Sequence, residues 1–241
     1  MITRLKFIFT VCILCAGVSF ATAADATKNQ SKKSKKKSKA FAEWTVLFDG
    51  HSTDKLRGYN MDSFPGDKWV IEGDALRAVP GKSVDLVTKD KFKDFELELE
   101  WKVSKSGNSG VMYRVSEDFD EVWHSGPEMQ IVDDLNTDDG KNPKTSAGSL
   151  YALIAPNAKK KANPAGEWNQ ARVVMKNKHV EHWLNGVKIL EYDWNSPQVK
   201  GLIAQSKFKD MPRFMQEKKG LICFQHHGQE VWLRNIKIRK L

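Results

Sequence analysis

The nine residues Phe95–Val103 (FELELEWKV) alternate without a break between apolar and charged side chains. Odd-numbered positions hold Phe, Leu, Trp or Val, and even-numbered positions hold Glu or Lys. Successive side chains of a β-strand point to opposite faces, so a period of two marks a strand that is buried on one face only. The segment therefore predicts a strand that covers a core with one face and meets solvent with the other.

Other segments indicate strands at short intervals along the chain. Trp69–Leu76 predicts a hairpin around Glu72-Gly73-Asp74. His179–Leu184 and Val187–Tyr192 predict another hairpin, because the Asn-Gly pair between them is the strongest short hairpin signal. Helical periodicity is hard to find anywhere. We therefore expect residues 41–241 to form one all-β domain, a two-sheet jelly-roll sandwich in which a concave sheet face holds the ligand.

The N-terminus predicts export. Arg4 and Lys6 precede the uncharged apolar run Phe7–Phe20, and Ala21-Thr22-Ala23 offers the small-x-small pattern that signal peptidase accepts. The apolar run is shorter than the roughly 20 residues that a membrane-spanning helix needs. We interpret residues 1–23 as a signal peptide and expect the protein in the periplasm, in the cell envelope or outside the cell.

The positive charge of the chain is concentrated behind this segment. Residues 1–39 hold nine basic residues and one acidic residue, whereas the formal net charge of the whole chain is +9. The rest is nearly neutral, so nucleic acid is not an expected partner. We interpret residues 24–40 as a Lys-rich disordered linker, since Lys28–Lys39 has no apolar residue to drive ordering. It is either a solvated spacer or a tether to an anionic cell envelope.

A first candidate for a functional site is Lys105–Val115 (KSGNSGVMYRV), where the turn Gly107–Gly110 leads into a strand that carries Arg114. Strand spacing puts Gly110, Met112 and Arg114 on one face. This spacing predicts Arg114 in a cleft, and a surface arginine after a hairpin turn is the alternative.

A second candidate is His124–Asp133 (HSGPEMQIVD). Glu128 and Gln130 are two residues apart, so their side chains lie about 6.6 Å apart on one strand face. A carboxylate and an amide between apolar neighbours are costly unless they serve a ligand or each other. Asp133 ends the strand, and for the acidic loop after it we favour a solvated turn over a calcium site.

A third candidate is Leu221–Gly228 (LICFQHHG). Gln225 and His227 share one strand face, and His226 lies on the other. Two adjacent histidines are weak evidence for a metal. Trp123, beside His124 in a loop, is the tryptophan most suited to stack on a sugar, whereas most of the eight tryptophans are expected in the core.

Taken together, these segments resemble the 3-keto-disaccharide hydrolase domain family, whose fold is a jelly roll of the concanavalin A-like lectin/glucanase type. The resemblance covers nearly all of Trp44–Leu241, and its strength lies in the number and order of the matching pieces. Those pieces are Leu47–Gly50, Trp69–Leu76, Asp94–Leu97, Gly107–Gly110 with Arg114, Gly126–Asp133, Gly148–Tyr151, Gly166–Asn169, Trp183–Gly186, Gln225–Gly228 and Arg234–Ile238.

The sequence departs from the family pattern at two places. Lys55-Leu-Arg57 stands where members usually show a tryptophan, and His226 replaces the Asp of their usual Asp-His-Gly. If that Asp has a functional role, this protein lacks it. Strand spacing turns His226 away from His227, which favours a structural role for the replaced position.

The resemblance implies an enzyme that cleaves glycosides already oxidised to a ketone at C3 of the sugar. It implies Glu128, or alternatively His227, as the base, with Arg114 stabilising an enolate. The implied substrate-binding residues are Asn108, Trp123, His124, Gln130, Asp133 and Gln225. No cofactor is required by the sequence, although a divalent cation would be compatible with the chemistry. The implied partner is an oligosaccharide or glycoside, and a non-catalytic lectin-like module is the alternative function.

Overall fold

The computed structural model describes residues 42–81 and 83–241. The predicted signal peptide and Lys-rich linker lie outside these residues. The strands, in chain order, are β1 (Thr45–Phe48), β2 (Leu56–Gly58), β3 (Trp69–Glu72), β4 (Ala75–Ala78), β5 (Leu86–Thr88), β6 (Phe95–Val103), β7 (Asn108–Val115), β8 (Glu128–Val132), β9 (Asn169–Lys176), β10 (His179–Leu184), β11 (Val187–Asp193), β12 (Leu221–Phe224) and β13 (Val231–Lys240).

These strands form two antiparallel sheets that face each other across the core. The larger sheet has eight strands in the order β11-β10-β9-β6-β13-β4-β3, with β1 paired to β13. The smaller sheet has five strands in the order β2-β5-β12-β7-β8. The predicted all-β jelly-roll sandwich is confirmed.

Strand β6 behaves as its alternating sequence predicts. It lies between β9 and β13 in the larger sheet, and its five apolar side chains are at most 1% exposed. Both predicted hairpins are also present, as β3–β4 and β10–β11. Asn185 and Gly186 both have positive φ, 49° and 79°, which is the turn geometry that matches the twist of a hairpin.

Three short helical segments interrupt the strands: a 3₁₀ turn at Val122–His124, α1 (Asp138–Lys141) and α2 (Pro197–Ala204). Helix α2 was not expected. Only Val199 of its residues is buried, so its sequence lacks the apolar stripe that predicts a helix. Its local signals are the hydroxyl of Ser196, which accepts a hydrogen bond from the Val199 amide, and Pro197 at the first position. None of the helices in the described ranges is long and apolar enough to cross a membrane.

The tryptophans are distributed differently from the expectation that most of them fill the core. Trp69, Trp101 and Trp194 are buried. The other five are half-buried, and several of them lie against a cation; for example, Cζ of Arg172 is 3.9 Å from the ring centroid of Trp183. Pairing with a cation stabilises a half-exposed indole ring, so these residues do not require a place in the core.

The smaller sheet is apolar on both faces. Val111, Tyr113 and Met129 point into the space between the sheets. Met112 and Cys223 belong to a second, smaller apolar cluster on the opposite face. That opposite face is covered only in part, and the part left open forms the candidate site.

Candidate active site

A cavity of about 350 Å³ opens on the outer face of the five-stranded sheet. One part of its wall is apolar and consists of Met112, Trp123, Phe208, Met211 and Phe214. The remaining lining residues are Asn108, Gly126, Glu128, Gln130, Tyr151, Lys207, Gln225 and His227. Of the nine residues named from the sequence, the cavity brings together six: Asn108, Trp123, Glu128, Gln130, Gln225 and His227.

The floor of the cavity follows from the register of the central strands. Gly110 pairs with Gln130 across β7 and β8, and the main-chain N–H of Gln225 donates to the Gly110 carbonyl at 2.9 Å. Gln225, Gly110 and Gln130 therefore form a row across three neighbouring chain segments. Since Gly110, in the middle of the row, has no side chain, a gap is left between the side-chain amides of Gln225 and Gln130.

Glu128 fills that gap. A Cβ built on Gly110 would lie 2.6 Å from Cδ and 2.7 Å from Cγ of Glu128, closer than real Cβ atoms approach their neighbours. The φ of Gly110 is not in the left-handed region, so a side chain here would displace the Glu128 carboxyl without straining the backbone. The carboxyl group is thus placed between Gln225 and Gln130.

The Glu128 carboxyl is half-buried, and none of the described residues donates a hydrogen bond to it. Burial raises its pKa to about 8; Lys207 lowers it in part, and the charges of Asp85 and Asp139 raise it. A carboxyl with a pKa near neutrality is suited to take up and release a proton at physiological pH. The predicted strand spacing of Glu128 and Gln130, both facing the cavity, is confirmed.

Gln130 is 1% exposed, and neither Nε2 nor Oε1 has a hydrogen-bond partner among the described residues. A buried amide without partners costs about 1–3 kcal/mol for each unsatisfied group. Since Gln130 lines the cavity, a ligand that offers both a donor and an acceptor would remove this cost. Vicinal sugar hydroxyls provide that combination.

Asn108 and Tyr151 stand at the rim of the cavity and share one partner. Nδ2 of Asn108 donates to Asp139 over 3.3 Å, and the Tyr151 hydroxyl donates to the same carboxylate over 3.4 Å. Burial and the neighbouring Asp139 charge raise the pKa of Tyr151 to about 12, so its hydroxyl keeps its proton. Oδ1 of Asn108 is buried without a partner and is a further acceptor for a ligand.

His227 and Trp123 complete the part of the wall predicted from the sequence. His227 is exposed at the cavity mouth, and its Nδ1 lies 3.2 Å from Oε1 of Gln229. Trp123 is half-buried and presents an indole ring to the cavity.

The segment between α2 and β12 contributes Lys207, Phe208, Met211 and Phe214, which the sequence analysis missed. Phe208 and Phe214 stack with ring centroids 4.0 Å apart and planes 3° apart. The Lys207 ammonium lies 4.4 Å from the ring centroid of Tyr151, which holds it over the cavity. Because this segment has no strand or helix period, no pattern in the sequence indicated which side chains turn inward.

Arg114 does not line this cavity, and the prediction that it shares a face with Met112 is wrong. The pairing of β7 with β12 shifts at this point, where Tyr113 and Val115 both have partners and Arg114 has none. Arg114 has a φ of 55°, which identifies a β-bulge. A bulge reverses the alternation of side chains, so the side chain leaves the face that carries Met112 and Glu128.

The Arg114 side chain is buried on the other side of its strand. Its Cζ lies 4.7 Å from the ring centroid of Trp194. Nη1 donates to the carbonyl of Glu217 at 3.2 Å, and Nη2 donates to the carbonyl of Lys93 at 3.0 Å. Arg114 is therefore in a cleft, as expected, but in a different one.

Asp133 is also absent from the cavity wall. It is buried, and its carboxylate accepts hydrogen bonds from the amide of Ser106 at 2.9 Å, the amide of Leu135 at 3.1 Å and Nδ2 of Asn136 at 2.7 Å. Burial raises the pKa of Asp133, but these hydrogen bonds outweigh it and the pKa is lowered. The predicted role in positioning sugar hydroxyls is corrected to fixing the loop that follows β8.

His124 does not reach the cavity either. Its ring packs against Trp123 and Phe119, with centroids 4.2 Å and 5.6 Å away. Trp123 lines the cavity and His124 does not. The predicted substrate contact of His124 is therefore replaced by a packing role.

His226 faces away from the cavity, as strand spacing predicts. Its Nδ1 accepts a hydrogen bond from the Gly228 amide at 3.1 Å, so Nε2 carries the proton and donates to the carbonyl of Val79 at 2.9 Å. The ring meets Trp69 edge-on at 5.4 Å. In this chain the departure from the family's Asp therefore serves packing.

Asp85 is a carboxyl near the site that the sequence analysis did not single out. It precedes β5 and accepts a 2.7 Å hydrogen bond from the amide of His226. Burial raises its pKa to about 6, and the hydrogen bond lowers it in part. Asp85 thus anchors the segment that carries Gln225 and His227.

The described residues contain one group of three side chains whose ligand atoms lie within 4.8 Å of one another, His179, Glu181 and Glu191. This group lies on β10 and β11 of the larger sheet, and Lys188 already binds Glu191 at 2.7 Å. The cavity itself combines one carboxyl, Glu128, with one histidine, His227. The amide oxygens of Asn108, Gln130 and Gln225 line the same cavity and are further ligand types for a hard divalent cation.

Sugar-binding proteins pair hydroxyl groups with amides and carboxyls and cover the apolar faces of sugar rings with aromatic side chains. Both kinds of side chain meet in this cavity, on one sheet face of a jelly roll. The chain matches the profile of the 3-keto-alpha-glucoside-1,2-lyase-like domain over residues 43–239, and it belongs to that family.

Known relatives agree with this assignment. The 3-keto-disaccharide hydrolase of Bacteroides thetaiotaomicron is 34% identical over 229 residues, which cover 82% of this chain and 78% of the relative. A crystal structure of a candidate glycosyl hydrolase from Parabacteroides distasonis superposes with a TM-score of 0.76 at 33% identity, over 82% of this chain and 94% of that one. A second such structure from the same organism gives a TM-score of 0.66 at 30% identity, over 83% and 100%.

Proposed function

We propose that this protein cleaves glycosides whose sugar carries a ketone at C3, and that Glu128 removes the proton from C2. The observation that carries the proposal is the Glu128 carboxyl, which stands at the cavity wall without a hydrogen bond from the described residues and with a pKa raised to about 8. The family, described as 3-keto-alpha-glucoside-1,2-lyase-like, supports the same chemistry.

A ketone at C3 acidifies the hydrogen on C2, because the electron pair left behind is delocalised onto the carbonyl oxygen as an enolate. Glu128 takes the proton. The enolate then reforms the ketone, a double bond forms between C1 and C2, and the bond from C1 to the glycosidic oxygen breaks. Addition of water across the double bond gives the free 3-keto sugar. This route needs one base and one oxyanion partner, unlike the two carboxyl groups of ordinary glycoside hydrolysis.

We assign the stabilisation of the enolate oxygen to Lys207. Arg114, which the sequence suggested for this role, faces another cavity. Lys207 lines the cavity, and its charge acts on Glu128, whose pKa it lowers. A fixed positive charge near a developing oxyanion is among the larger contributions to catalysis.

His227 is the second titratable group of the proposed mechanism. With Glu128 as the base, we assign His227 to protonate the departing glycosidic oxygen; the reverse assignment, with His227 as the base, uses the same two groups. The two cases differ in a measurable way. In deuterated water, loss of the base stops exchange of the C2 hydrogen, whereas loss of the acid leaves exchange intact and stops cleavage.

The amides and aromatic rings of the cavity are assigned to hold the sugar. Gln130 has both amide atoms unpaired, Asn108 has an unpaired acceptor, and Gln225 lies across the floor from Gln130. Trp123 would cover an apolar sugar face. The same groups would serve a non-catalytic sugar-binding module, and the unpaired amide of Gln130 is the observation that favours this second candidate.

The two candidates are separated by one comparison. The protein is incubated with a 3-keto-disaccharide and with the same disaccharide before oxidation, and released monosaccharide is measured. The proposal expects release from the keto form alone, and none in Glu128→Gln with the fold retained. Binding of both sugars without release would establish the sugar-binding module instead. Near-normal release in Glu128→Gln would remove Glu128 from its role.

We also propose that the protein acts outside the cytoplasm. The proposal rests on the sequence of residues 1–23, which is typical of a signal peptide. Sequencing the N-terminus of the protein from cell fractions tests it. A periplasmic or secreted species that begins at Ala24 is expected, and a cytoplasmic species that retains Met1–Ala23 would contradict it.

A further inference from the structure

Arg114 lines a second cavity, of about 580 Å³, which shares no lining residue with the cavity of Glu128. It lies at the other side of β7, against Trp194 at the end of β11. Its remaining wall is rich in lysine and amide side chains, and neither the family assignment nor the proposed reaction uses it.

The Arg114 guanidinium makes no direct ion pair with the described residues of this cavity. Only 4% of the residue is exposed, and no carboxylate of the described residues forms an ion pair with it. Two of its five N–H groups donate to main-chain carbonyls, and its Nε is buried without a partner. Burial lowers the pKa of Arg114, and the charge of Asp94 raises it in part. A buried charge without a direct ion pair is unfavourable unless a ligand supplies one.

The backbone is strained where it presents this side chain. A non-glycine residue with a φ of 55° is in an unfavourable backbone conformation, and such positions persist where the surrounding structure enforces them. Gly220 makes the conformation fit, since a Cβ there would lie 2.7 Å from the carbonyl oxygen of Arg114. The bulge in β7 and the glycine opposite it thus act together to aim Arg114 at this cavity.

The surroundings of the cavity are strongly positive. An adjoining cavity of about 300 Å³ shares Lys93 and Asp94 with it. Within the described part of the chain, none of the lysines of the two cavities forms an ion pair; they are Lys91, Lys93, Lys178, Lys218, Lys219 and Lys240.

Two acidic side chains line these cavities, and each already has a partner. The carboxylate of Glu217 binds Arg213, and Asp94 accepts a hydrogen bond from the Asn177 amide at 3.2 Å. The charge of Asp94 also acts on Arg114, but Arg114 and the six lysines outnumber the two acids, so the surroundings keep an excess of positive charge. An anionic ligand would supply the missing charge.

Amide side chains indicate what the anion is attached to. Asn177, Asn195 and Gln216 line the cavity beside Arg114. Oδ1 of Asn195 is buried without a hydrogen-bond partner. Sulfate or chloride would leave that acceptor unpaired, because neither has a hydrogen to donate, whereas a sugar hydroxyl donates one.

We propose that the Arg114 cavity binds an acidic saccharide, with Arg114 and the surrounding lysines holding its carboxylate or sulfate group and the amides holding its hydroxyls. The protein would then attach to an acidic glycan through one site while cleaving a glycoside at another. A planar guanidinium suits an oxyanion because it offers parallel N–H groups to two oxygens at once.

Isothermal titration of the whole protein with glucuronate, glucose 6-sulfate, glucose and sodium sulfate tests the proposal. Saturable binding of both acidic sugars is expected, with glucose and sulfate at least about tenfold weaker. Arg114→Lys keeps the charge but loses the parallel donors, and it should weaken glucuronate binding at least about tenfold. Since Arg114 is buried, Lys93→Ala and Lys218→Ala provide a second test at exposed positions, with Lys200→Ala on α2 as the matched control.

Each outcome of these titrations either supports or overturns the proposed site. Weakened binding in the Lys93→Ala and Lys218→Ala variants with unchanged binding in Lys200→Ala supports the site. Absence of saturable glucuronate binding, or equal binding by all variants, overturns it. Equal affinity for sulfate and for the two acidic sugars overturns the saccharide assignment. These results are independent of cleavage of the 3-keto substrate, so failure here does not affect the proposed reaction.

Discussion

The carboxyl group of Glu128 occupies the space in which a side chain of Gly110 would lie, with Cδ only 2.6 Å from the position of a Cβ on that glycine. Gly110 is on β7 and Glu128 on the neighbouring β8, where Glu128 pairs with Met112. The carboxyl therefore leans along the sheet to fill a gap that the glycine leaves. This relationship fixes the proposed base between Gln225 and Gln130.

Gly110→Ala should displace the carboxyl and lower kcat by about 10²-fold, since small misplacements of a reacting group have effects of that size. The backbone at Gly110 has an ordinary φ, so the fold should be retained. Gly66→Ala is the matched control, because a Cβ at Gly66 has no neighbour within 4 Å. Steady-state kinetics on a 3-keto-disaccharide check both variants. Equal activity of Gly110→Ala and Gly66→Ala would show that the position of Glu128 is not critical.

The pH dependence of cleavage should follow the ionisation of Glu128. A base acts in its deprotonated form, and burial raises the pKa of Glu128 to about 8. We expect the rising limb of kcat/KM to have its midpoint near pH 8, because this quantity reports the free enzyme. A profile that is already flat at pH 6 would rule out a base with this pKa.

Glu128→Gln should stabilise the protein while it abolishes cleavage. The folded-state pKa of about 8 lies above the ordinary 4.5, so the folded protein binds the extra proton between these values and loses stability as the pH rises toward 8. A neutral Gln avoids this cost, which is of the order of 2–4 kcal/mol at pH 8 and small near pH 4.5. Urea denaturation at both pH values measures the difference. Equal stability of the two proteins at pH 8 would show that the carboxyl is not held at a cost.

Gln130→Met should raise KM about tenfold and stabilise the protein by about 1 kcal/mol. The change removes two buried amide atoms without partners and keeps a similar volume. Gln170→Met is the control, since Gln170 is exposed on the larger sheet and remote from the cavity floor. Kinetics and thermal denaturation of both variants test the assignment. An unchanged KM in Gln130→Met would mean that Gln130 does not contact the substrate.

The regular parts of the fold could be predicted because their sequence period is visible. The alternation in Phe95–Val103 predicts a strand from neighbouring residues alone, and the Asn-Gly turn after Leu184 predicts a hairpin in the same way. The same parity placed Glu128, Gln130, Gln225 and His227 on the face that became the cavity.

Prediction failed where the period breaks. The bulge at Arg114 depends on how β7 pairs with β12, a strand more than a hundred residues away. No pattern in the sequence around Arg114 predicts it. Lys207 and Phe208 reach the cavity from an irregular segment whose path is set by packing onto Phe214. Asp133 resembled a site residue by type, but its hydrogen bonds to its own loop decide its role.

The most direct test of the account is cleavage of a 3-keto-disaccharide that carries deuterium at C2 of the oxidised sugar. Proton abstraction by Glu128 predicts a primary isotope effect on kcat/KM and a released 3-keto sugar that has exchanged its C2 deuterium for hydrogen from water. Release at the same rate as from the undeuterated substrate, with the deuterium retained in the product, would contradict the account and show that the glycosidic bond is broken without removal of the C2 hydrogen.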